Sequence, residues 1–264
     1  MSHSHRPYIS LVLPAYNEEE NIEDAVAQAV PALERISERW ELLIVNDASA
    51  DRTALLADRL AAAYPGRLRA LHYAHNHGLG GALRGGFAAA HGQILAYCDS
   101  DLPFDMSALV EAHDLLLREE VDLVAAYRFN REDEGLRRLV YSRVYNALIR
   151  TLFGLRVLDV NFSLKMFRRE VLARAPLYSD GSFIDVELLA RARAEGFRIA
   201  QFGVHYTPRV RGVSTLARPA VIVDILRELA LYRVGRLQTD APALAPPPDR
   251  VVAPKPTVEA AAAS

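Results

Sequence analysis

Ile94-Leu95-Ala96-Tyr97-Cys98-Asp99-Ser100-Asp101 opens as a short apolar run and ends in two aspartates with one residue between them. The run reads as a buried strand. Residues two apart in a strand share a face, so Asp99 and Asp101 face one way as the strand ends or lie together in the loop that follows. Two carboxylates so placed repel unless a cation sits between them. A hard divalent ion fits, because Mg²⁺ takes one or two protein carboxylates together with the phosphates of a substrate. A strand-end turn with two solvated acids meets the same spacing, so the reading depends on the rest of the chain.

Upstream, Tyr8 to Leu13 is a short β-rich run, and Pro14 is expected to stop it for want of a ladder N–H. A helix is predicted from about Glu19 to Arg39, with Ile22, Val26, Ala29, Val30 and Leu33 at helical spacing and an interruption or kink at Pro31. Trp40 to Val45 reads as a second strand, and in the polar loop after it Ser49 or Asp51 can cap a helix from Thr53 to Tyr64. Leu68 to Tyr73 is a third strand, and Asn76 to Gly86 a glycine-rich loop entering a helix to Ala90. Met106 to Glu119 reads as helix and Leu123 to Tyr127 as strand. This alternation argues for parallel βαβ units, whose ligands bind beyond the carboxyl ends of the strands. The polar clusters Asn17 to Glu20, Asn46 to Asp51 and Asp99 to Asp101 would then line one edge.

Past Arg128 the pattern changes. Gly135 to Gly154 reads as an amphipathic helix, Asp159 to Arg168 as extended, Glu170 to Ala175 and Phe183 to Glu195 as helices, and Phe197 to Tyr206 as a strand. Arg209 to Leu216 is basic and polar, and Pro219 to Arg236 is a second amphipathic helix. From Leu237 the chain is rich in proline and alanine and is expected to be disordered. The fold class predicted is α/β: a Rossmann-like, mostly parallel central sheet flanked by helices, in one domain over 1–236, with a tail at 237–264.

Bulk properties bound the function. A chain of 264 residues, 51% hydrophobic and 24% charged, can bury a sizeable core, and a net charge of −2 gives no reason to expect nucleic acid. The single cysteine, Cys98, precludes an intramolecular disulfide and fits a reducing compartment. Met1 to Arg6 is polar, so no signal peptide is expected, and no run approaches the ~18 apolar residues of a membrane span. The expected location is the cytoplasm, with contact to a membrane surface left open.

Three clusters together resemble a family. Pro14-Ala15-Tyr16-Asn17-Glu18, then Val45-Asn46-Asp47-Ala48-Ser49-Ala50-Asp51-Arg52-Thr53, then Asp99-Ser100-Asp101 resemble the motifs of the inverting glycosyltransferases of family 2, which have a GT-A fold and use a nucleotide-sugar donor. The order and spacing of all three are far more specific than any one. Further stretches are similar to the dolichyl- and polyprenyl-phosphate sugar synthases: Asn76 to Phe87, Arg138-Leu139-Val140-Tyr141-Ser142, Asp159 to Arg168, and Arg209-Val210-Arg211-Gly212-Val213-Ser214. The resemblance covers roughly Tyr8 to Leu216. It departs at Asn46, where an acid is usual, at Ser100, where alanine is commoner, and at Thr215, where lysine commonly follows the serine.

The resemblance implies a nucleotide-binding half at about 7–128 and an acceptor-binding half at about 129–236. It implies that Pro14, Tyr16, Glu18, Asn46, Asp47, Asp99 and Ser100 hold the nucleotide. Asp99 and Asp101 would hold Mg²⁺ or Mn²⁺ against the diphosphate, with Asn146, which shares a helix face with Arg138 and Ser142, as a further contact. Asp101, Arg128, Arg138, Ser142 and Arg209 are the expected catalytic set, and His205, Arg211, Lys165 and Glu187 are candidates for acceptor or diphosphate contact. A polyprenyl phosphate is already an anion and needs cations beside it rather than a base, and guanidinium groups suit it. The function expected is hexosyl transfer from a GDP- or UDP-sugar to a polyprenyl phosphate, by a protein peripheral on the inner face of the membrane.

Two other readings stand beside it. In one, the acceptor is a hydroxyl of a glycan or protein and Asp185 or Glu187 is the base; either acid can equally be a donor-sugar contact or a helix start. In the other, the chain is a non-catalytic nucleotide-sugar-binding module. Each residue also has a plainer role: the glycines for tight packing, Arg138 as a solvated helix face, His205 as a packed histidine, Lys165 as surface.

Overall fold

The computed structural model describes residues 6–101, 104–129, 147, 149–205, 219–235 and 237. Arg138, Ser142, Asn146, Arg209 and Arg211 lie outside the described residues, as does the expected tail beyond Leu237.

The chain runs β1 (Ile9–Ala15), α1 (Ile22–Ile36), β2 (Trp40–Asn46), α2 (Thr53–Ala63), β3 (Leu68–His72), α3 (Gly78–Ala89), β4 (Ile94–Tyr97), α4 (Ala108–Arg118) and β5 (Leu123–Arg128). It continues through β6 (Lys165–Arg168), α5 (Glu170–Arg174), α6 (Ile184–Ala194), β7 (Ile199–Val204) and α7 (Pro219–Arg233). The seven strands form one sheet in the order β3-β2-β1-β4-β6-β5-β7. All neighbours are parallel except β6, which lies antiparallel between β4 and β5. Only the tetrapeptide 165–168 of the extended stretch Asp159 to Arg168 is strand.

Side-chain alternation gives the sheet two apolar faces. Ile9, Leu11 and Leu13 of β1 join Leu42, Ile44 and Ala96 under α1, α2 and α4. Val12, Leu43, Val45, Leu95 and Tyr97 face α3, α6 and α7. Ile22, Ala25, Val26, Ala29, Val30 and Leu33 form the buried stripe of α1. That helix is shorter at both ends than expected and runs on through Pro31. Leu237, expected to open the tail, is buried in the second core with Ile225.

Pro14 does not stop β1, which continues to Ala15 with Pro14 paired to Val45 of β2. The pairing of β1 with β4 ends earlier, at Val12 and Tyr97. The Pro14 carbonyl turns to the β4 side, where it accepts the Ser100 hydroxyl at 2.7 Å. The missing N–H falls on that same side, beyond the last pair, where no ladder bond is required.

From β1 the sheet grows one way through β2 and β3 and the other way through β4. This reversal is a topological switch point, where an open α/β sheet leaves a crevice at the carboxyl ends of its strands.

Candidate active site

The loops after β1 and β2 are laced together beside the crevice. The Asn17 amide donates to Ser49 Oγ at 2.9 Å, and the Ala50 amide returns a bond to Asn17 Oδ1 at 2.8 Å. The Glu18 amide donates to Thr53 Oγ1 at 2.8 Å, the Glu19 amide to Asp51 Oδ2 at 3.1 Å, and the Arg52 amide to Glu19 Oε2 at 3.1 Å. Asp51, not Ser49, receives the first amide of α2, from Thr53 at 2.9 Å. Asn17 and Ala48 hold left-handed backbone, φ 57° and 59°. For alanine that conformation costs roughly 1 kcal/mol, so the surrounding bonds must impose it. Tyr16, at the tip of the first loop, is 52% exposed, unusual for a large aromatic at a crevice mouth.

Asp47 is buried, and its two oxygens accept the amides of His77 at 2.7 Å and Gly78 at 2.8 Å. It thus fills the anion site that the start of α3 would otherwise offer. Burial pushes its carboxyl up, against the pull of those two amides. Asn46 accepts the Ser49 amide at 3.2 Å through Oδ1 and contacts His72 Nδ1 at 3.1 Å through Nδ2, while His72 Nε2 meets Asp58 at 3.0 Å. Donors and acceptors balance if the His72 proton is on Nε2 and Asn46 donates. A carboxylate at position 46 has no proton for that bond.

Across the switch point, Asp99 and Asp101 follow β4, both partly exposed, and Ser100 between them is buried against Pro14. Burial pushes up both the Cys98 thiol and the Tyr97 phenol, with the Asp99 charge adding to it at Cys98 and Asp185, then Asp99, adding to it at Tyr97. Among the described residues no three of His, Cys, Asp and Glu stand together as a complete metal cage. Two hard carboxylates at a crevice suit a divalent ion that takes its remaining ligands from a phosphate.

The glycine-rich stretch serves close packing. A Cβ at Gly80 would lie 2.2 Å from the Ser179 carbonyl oxygen, and one at Gly86 would lie 2.4 Å from Val12 Cγ1. Gly78, at φ 74°, starts α3, and the amides of Gly80 and Gly81 donate to the Asp180 carbonyl at 2.9 and 3.2 Å. Tyr73 and Arg84 close the same corner, with Arg84 paired to the Asp180 carboxylate. Burial, opposed by Arg84 and aided by Asp47 and Asp180, pushes the Tyr73 phenol up to about 12.

Other expected residues lie elsewhere. Arg128 is held by Asp159, Nε to Oδ2 at 2.7 Å and Nη2 to Oδ1 at 3.3 Å, so this guanidinium grips a buried carboxylate of the chain itself. Lys165 is neither a surface residue nor open to an acceptor. It is fully buried, bonded to the Phe162 carbonyl at 2.8 Å and paired with Asp185. Glu187 is likewise fully buried; it accepts the amides of Tyr178 and Ser179 at 2.9 and 2.8 Å and pairs with Arg191 at 2.8 Å. Oε2 thus holds the amides of 178 and 179 while Oε1 is taken by Arg191, one turn on along α6, so both oxygens are committed within the protein. His205 follows β7 with its ring 5.8 Å from that of Phe129. Three strand spacings separate β7 from β4, roughly 14 Å, so His205 stands apart from Asp99. Sequence reasoning missed Glu228 of α7, which accepts the Ser179 hydroxyl at 2.8 Å and the amides of Asp180 and Gly181 at 3.3 Å each. An acid on an amphipathic helix gives no sign of such a partner in sequence.

The family profile of Glycosyl transferase family 2 matches residues 10–175. The glycosyltransferase AglD of Haloferax volcanii is 36% identical over 208 residues, covering 76% of this chain and 33% of that protein. The dodecaprenyl-phosphate galacturonate synthase of Rhizobium johnstonii is 30% identical over 229 residues (85% and 67%). The polyprenol monophosphomannose synthase of Mycolicibacterium smegmatis is 31% identical over 220 residues (78% and 80%). The chain thus spans a third of the first relative, two thirds of the second and four fifths of the third. Among solved structures, glucosyl-3-phosphoglycerate synthase from Mycobacterium tuberculosis, in complex with Mn²⁺, uridine diphosphate and glucosyl-3-phosphoglycerate, superposes with a TM-score of 0.66 at 26% identity, over 87% of this chain and 80% of that one. The mixed sheet with its flanking helices is the GT-A type of fold that the motifs implied. A matching profile over more than half its length, and relatives at 30% identity or more, establish that the chain belongs to glycosyl transferase family 2.

Proposed function

We propose that the chain transfers a hexosyl group from a nucleotide sugar to a polyprenyl phosphate, with inversion at the anomeric carbon. The observation that carries this reading is the 2.7 Å bond from Ser100 to the Pro14 carbonyl, which fastens the two-aspartate motif to the loop of Pro14, Tyr16 and Glu18 across the switch point. The donor's nucleoside would stack on exposed Tyr16, between the laced loops, and its diphosphate would reach Asp99 and Asp101. Those two carboxylates would hold Mg²⁺ or Mn²⁺, which supplies Lewis-acid stabilisation of the departing diphosphate. Asp47, committed to α3, would shape the nucleoside pocket through the 77–78 backbone.

The acceptor phosphate is an anion at neutral pH and attacks without a base. Arg138, Arg209 and Arg211 would bring it beside the donor's own negative charge. Arg128 would orient this half of the site through Asp159. Asp185, at the first turn of α6, would accept a hydroxyl of the donor sugar. A lipid acceptor requires work at a membrane surface, on the cytoplasmic face. Exposed Arg150 and Arg227, on packed helical segments tied by the bond from Arg233 to the Leu152 carbonyl at 2.9 Å, are suited to lipid phosphates. Among the described residues no helix is long and apolar enough to cross a membrane.

The likeness to glucosyl-3-phosphoglycerate synthase favours one second reading: a small hydroxyl acceptor, with Asp185 as base. Glu187, bonded through both oxygens, is not a base in either reading. Incubation with radiolabelled nucleotide sugars, Mn²⁺ and polyprenyl phosphate separates the two. Chloroform-extractable label is the expected result. Label found only on water-soluble acceptors would replace the first reading with the second, and nucleotide-sugar binding with no transfer to either would leave a binding module.

A further inference from the structure

We propose that Lys165 and Tyr97 are positioning residues for Asp185: they pin one carboxylate oxygen so that the other is presented at the carboxyl edge of the sheet to a hydroxyl of the donor sugar. The inference rests on the proposed function and deepens its account of the sugar site.

The antiparallel strand makes the arrangement possible. Its register sets Lys165 of β6 directly across from Tyr97 of β4, and cross-strand partners share a face. The Lys165 ammonium lies 5.3 Å from the centre of the Tyr97 ring. Over that face lies α6, with Asp185 in its first turn. The Tyr97 hydroxyl and the Lys165 ammonium both donate to Asp185, and both bonds fall on Oδ1. None of the described bonds uses Oδ2, and the side chain keeps 6% exposure.

A lysine with no exposure is costly to desolvate, and an apolar side chain of similar volume would fill the space at no such cost. The ammonium and the phenol therefore fix a direction rather than fill a void. Tyr97 is the last residue of β4 and precedes Asp99 by two positions, so the fixed carboxylate stands next to the end of β4 where the diphosphate would lie. A carboxylate repels a diphosphate and accepts from hydroxyls. The part of a nucleotide sugar suited to it is the neutral, hydroxyl-bearing sugar that follows the diphosphate.

The test compares two affinities in the full chain with Mn²⁺, by calorimetry: a nucleoside diphosphate, and the nucleotide sugar that the wild-type chain binds. Tyr97→Phe and Lys165→Gln are expected to keep nucleoside-diphosphate affinity within about twofold while nucleotide-sugar affinity falls about tenfold, and Asp185→Asn should match them. Tyr97→Phe combined with Asp185→Asn should be no worse than Asp185→Asn alone, since both act through one oxygen. Equal losses for both ligands, or no loss for the sugar, overturn the inference while the proposed function stands. If Lys165→Gln does not fold, Tyr97→Phe, which removes one hydroxyl and no charge, decides alone. Failure of the wild type to bind any nucleotide sugar overturns the proposed function and this inference with it.

Discussion

The Gly78 amide donates to the Asp47 carboxylate at 2.8 Å, and this bond ties the end of β2 to the start of α3. With the His77 bond beside it, Asp47 caps the start of α3, sharing the Gly78 amide with Asn76 Oδ1, which accepts it at 3.1 Å. Asp47→Asn keeps one acceptor oxygen and sets an NH₂ group against an amide N–H. Losing such a cap costs about 1 kcal/mol, which for a chain of this size lowers the midpoint of thermal unfolding by roughly 2–4 °C. An unchanged midpoint, by differential scanning fluorimetry, would mean that Asp47 is free to serve a ligand rather than the helix.

Asp101→Ala tests the other side of the crevice. The side chain is partly exposed in the turn after β4, so the fold should survive its loss. If a metal seated there stabilises the leaving diphosphate, transfer should fall at least about 100-fold, a modest share of the several kcal/mol that Lewis-acid catalysis supplies. Initial rates alongside circular dichroism separate chemistry from folding. Near-normal turnover in a folded Asp101→Ala variant would remove the metal assignment.

Arg128 and Asp159 form a bidentate pair in which the carboxylate is 2% exposed. Removing one partner of a buried pair leaves the other uncompensated, at a cost of about 3–5 kcal/mol. Asp159→Asn should therefore lower the unfolding midpoint by roughly 6–20 °C. Arg128→Lys should also destabilise, because an ammonium cannot reproduce the forked contact. If Arg128→Lys melts like the wild type and only loses acceptor affinity, the guanidinium serves the ligand and not Asp159.

Gly80 separates packing from phosphate binding in the glycine-rich stretch. An alanine there would put its Cβ 2.2 Å from the Ser179 carbonyl oxygen and 2.8 Å from Asp180 C, both backbone atoms that cannot turn aside. Overpacking of this kind costs about 1–3 kcal/mol, and the 179–181 loop has to move. Gly80→Ala should lose stability and transfer together. Stability at the wild-type level with transfer lost would return the stretch to a phosphate-binding role.

Much of this was legible in the sequence because it depends on local pattern. Trp40 to Val45, apolar but for Glu41, and Ile94 to Cys98 are runs too short for helices, each followed by an acid cluster, so strands and a functional edge follow together. Pairing was less legible. Lys165 to Arg168 reads as extended, but nothing in four residues says that they insert backwards between β4 and β5. The burial of Lys165 and Glu187 was hidden for the same reason: charged residues default to the surface, and Asp185, Arg191 and the 178–179 amides become their partners only after folding. Pro14 misled because its effect depends on where the neighbouring strand ends.

Glu228 gives the pH prediction. It is set among the Ser179 hydroxyl and the amides of Asp180 and Gly181. Burial pushes its carboxyl above the ordinary 4.5; the three bonds pull it down, and the nearby Asp180 charge adds to the push, with a net rise. The folded state therefore holds this proton more tightly than the unfolded state does. The resulting stabilisation is full below pH 4.5 and is lost as pH rises through the folded value. Glu228→Gln removes the titration while keeping an acceptor for Ser179. The midpoint of the wild type minus that of Glu228→Gln should therefore fall as pH is raised from about 4 to 7, because titrations common to both proteins cancel in the difference. A difference that rises over this range would show that the loop amides outweigh burial, and that the carboxylate of α7 is a favourable anion in its nest and not a strained one.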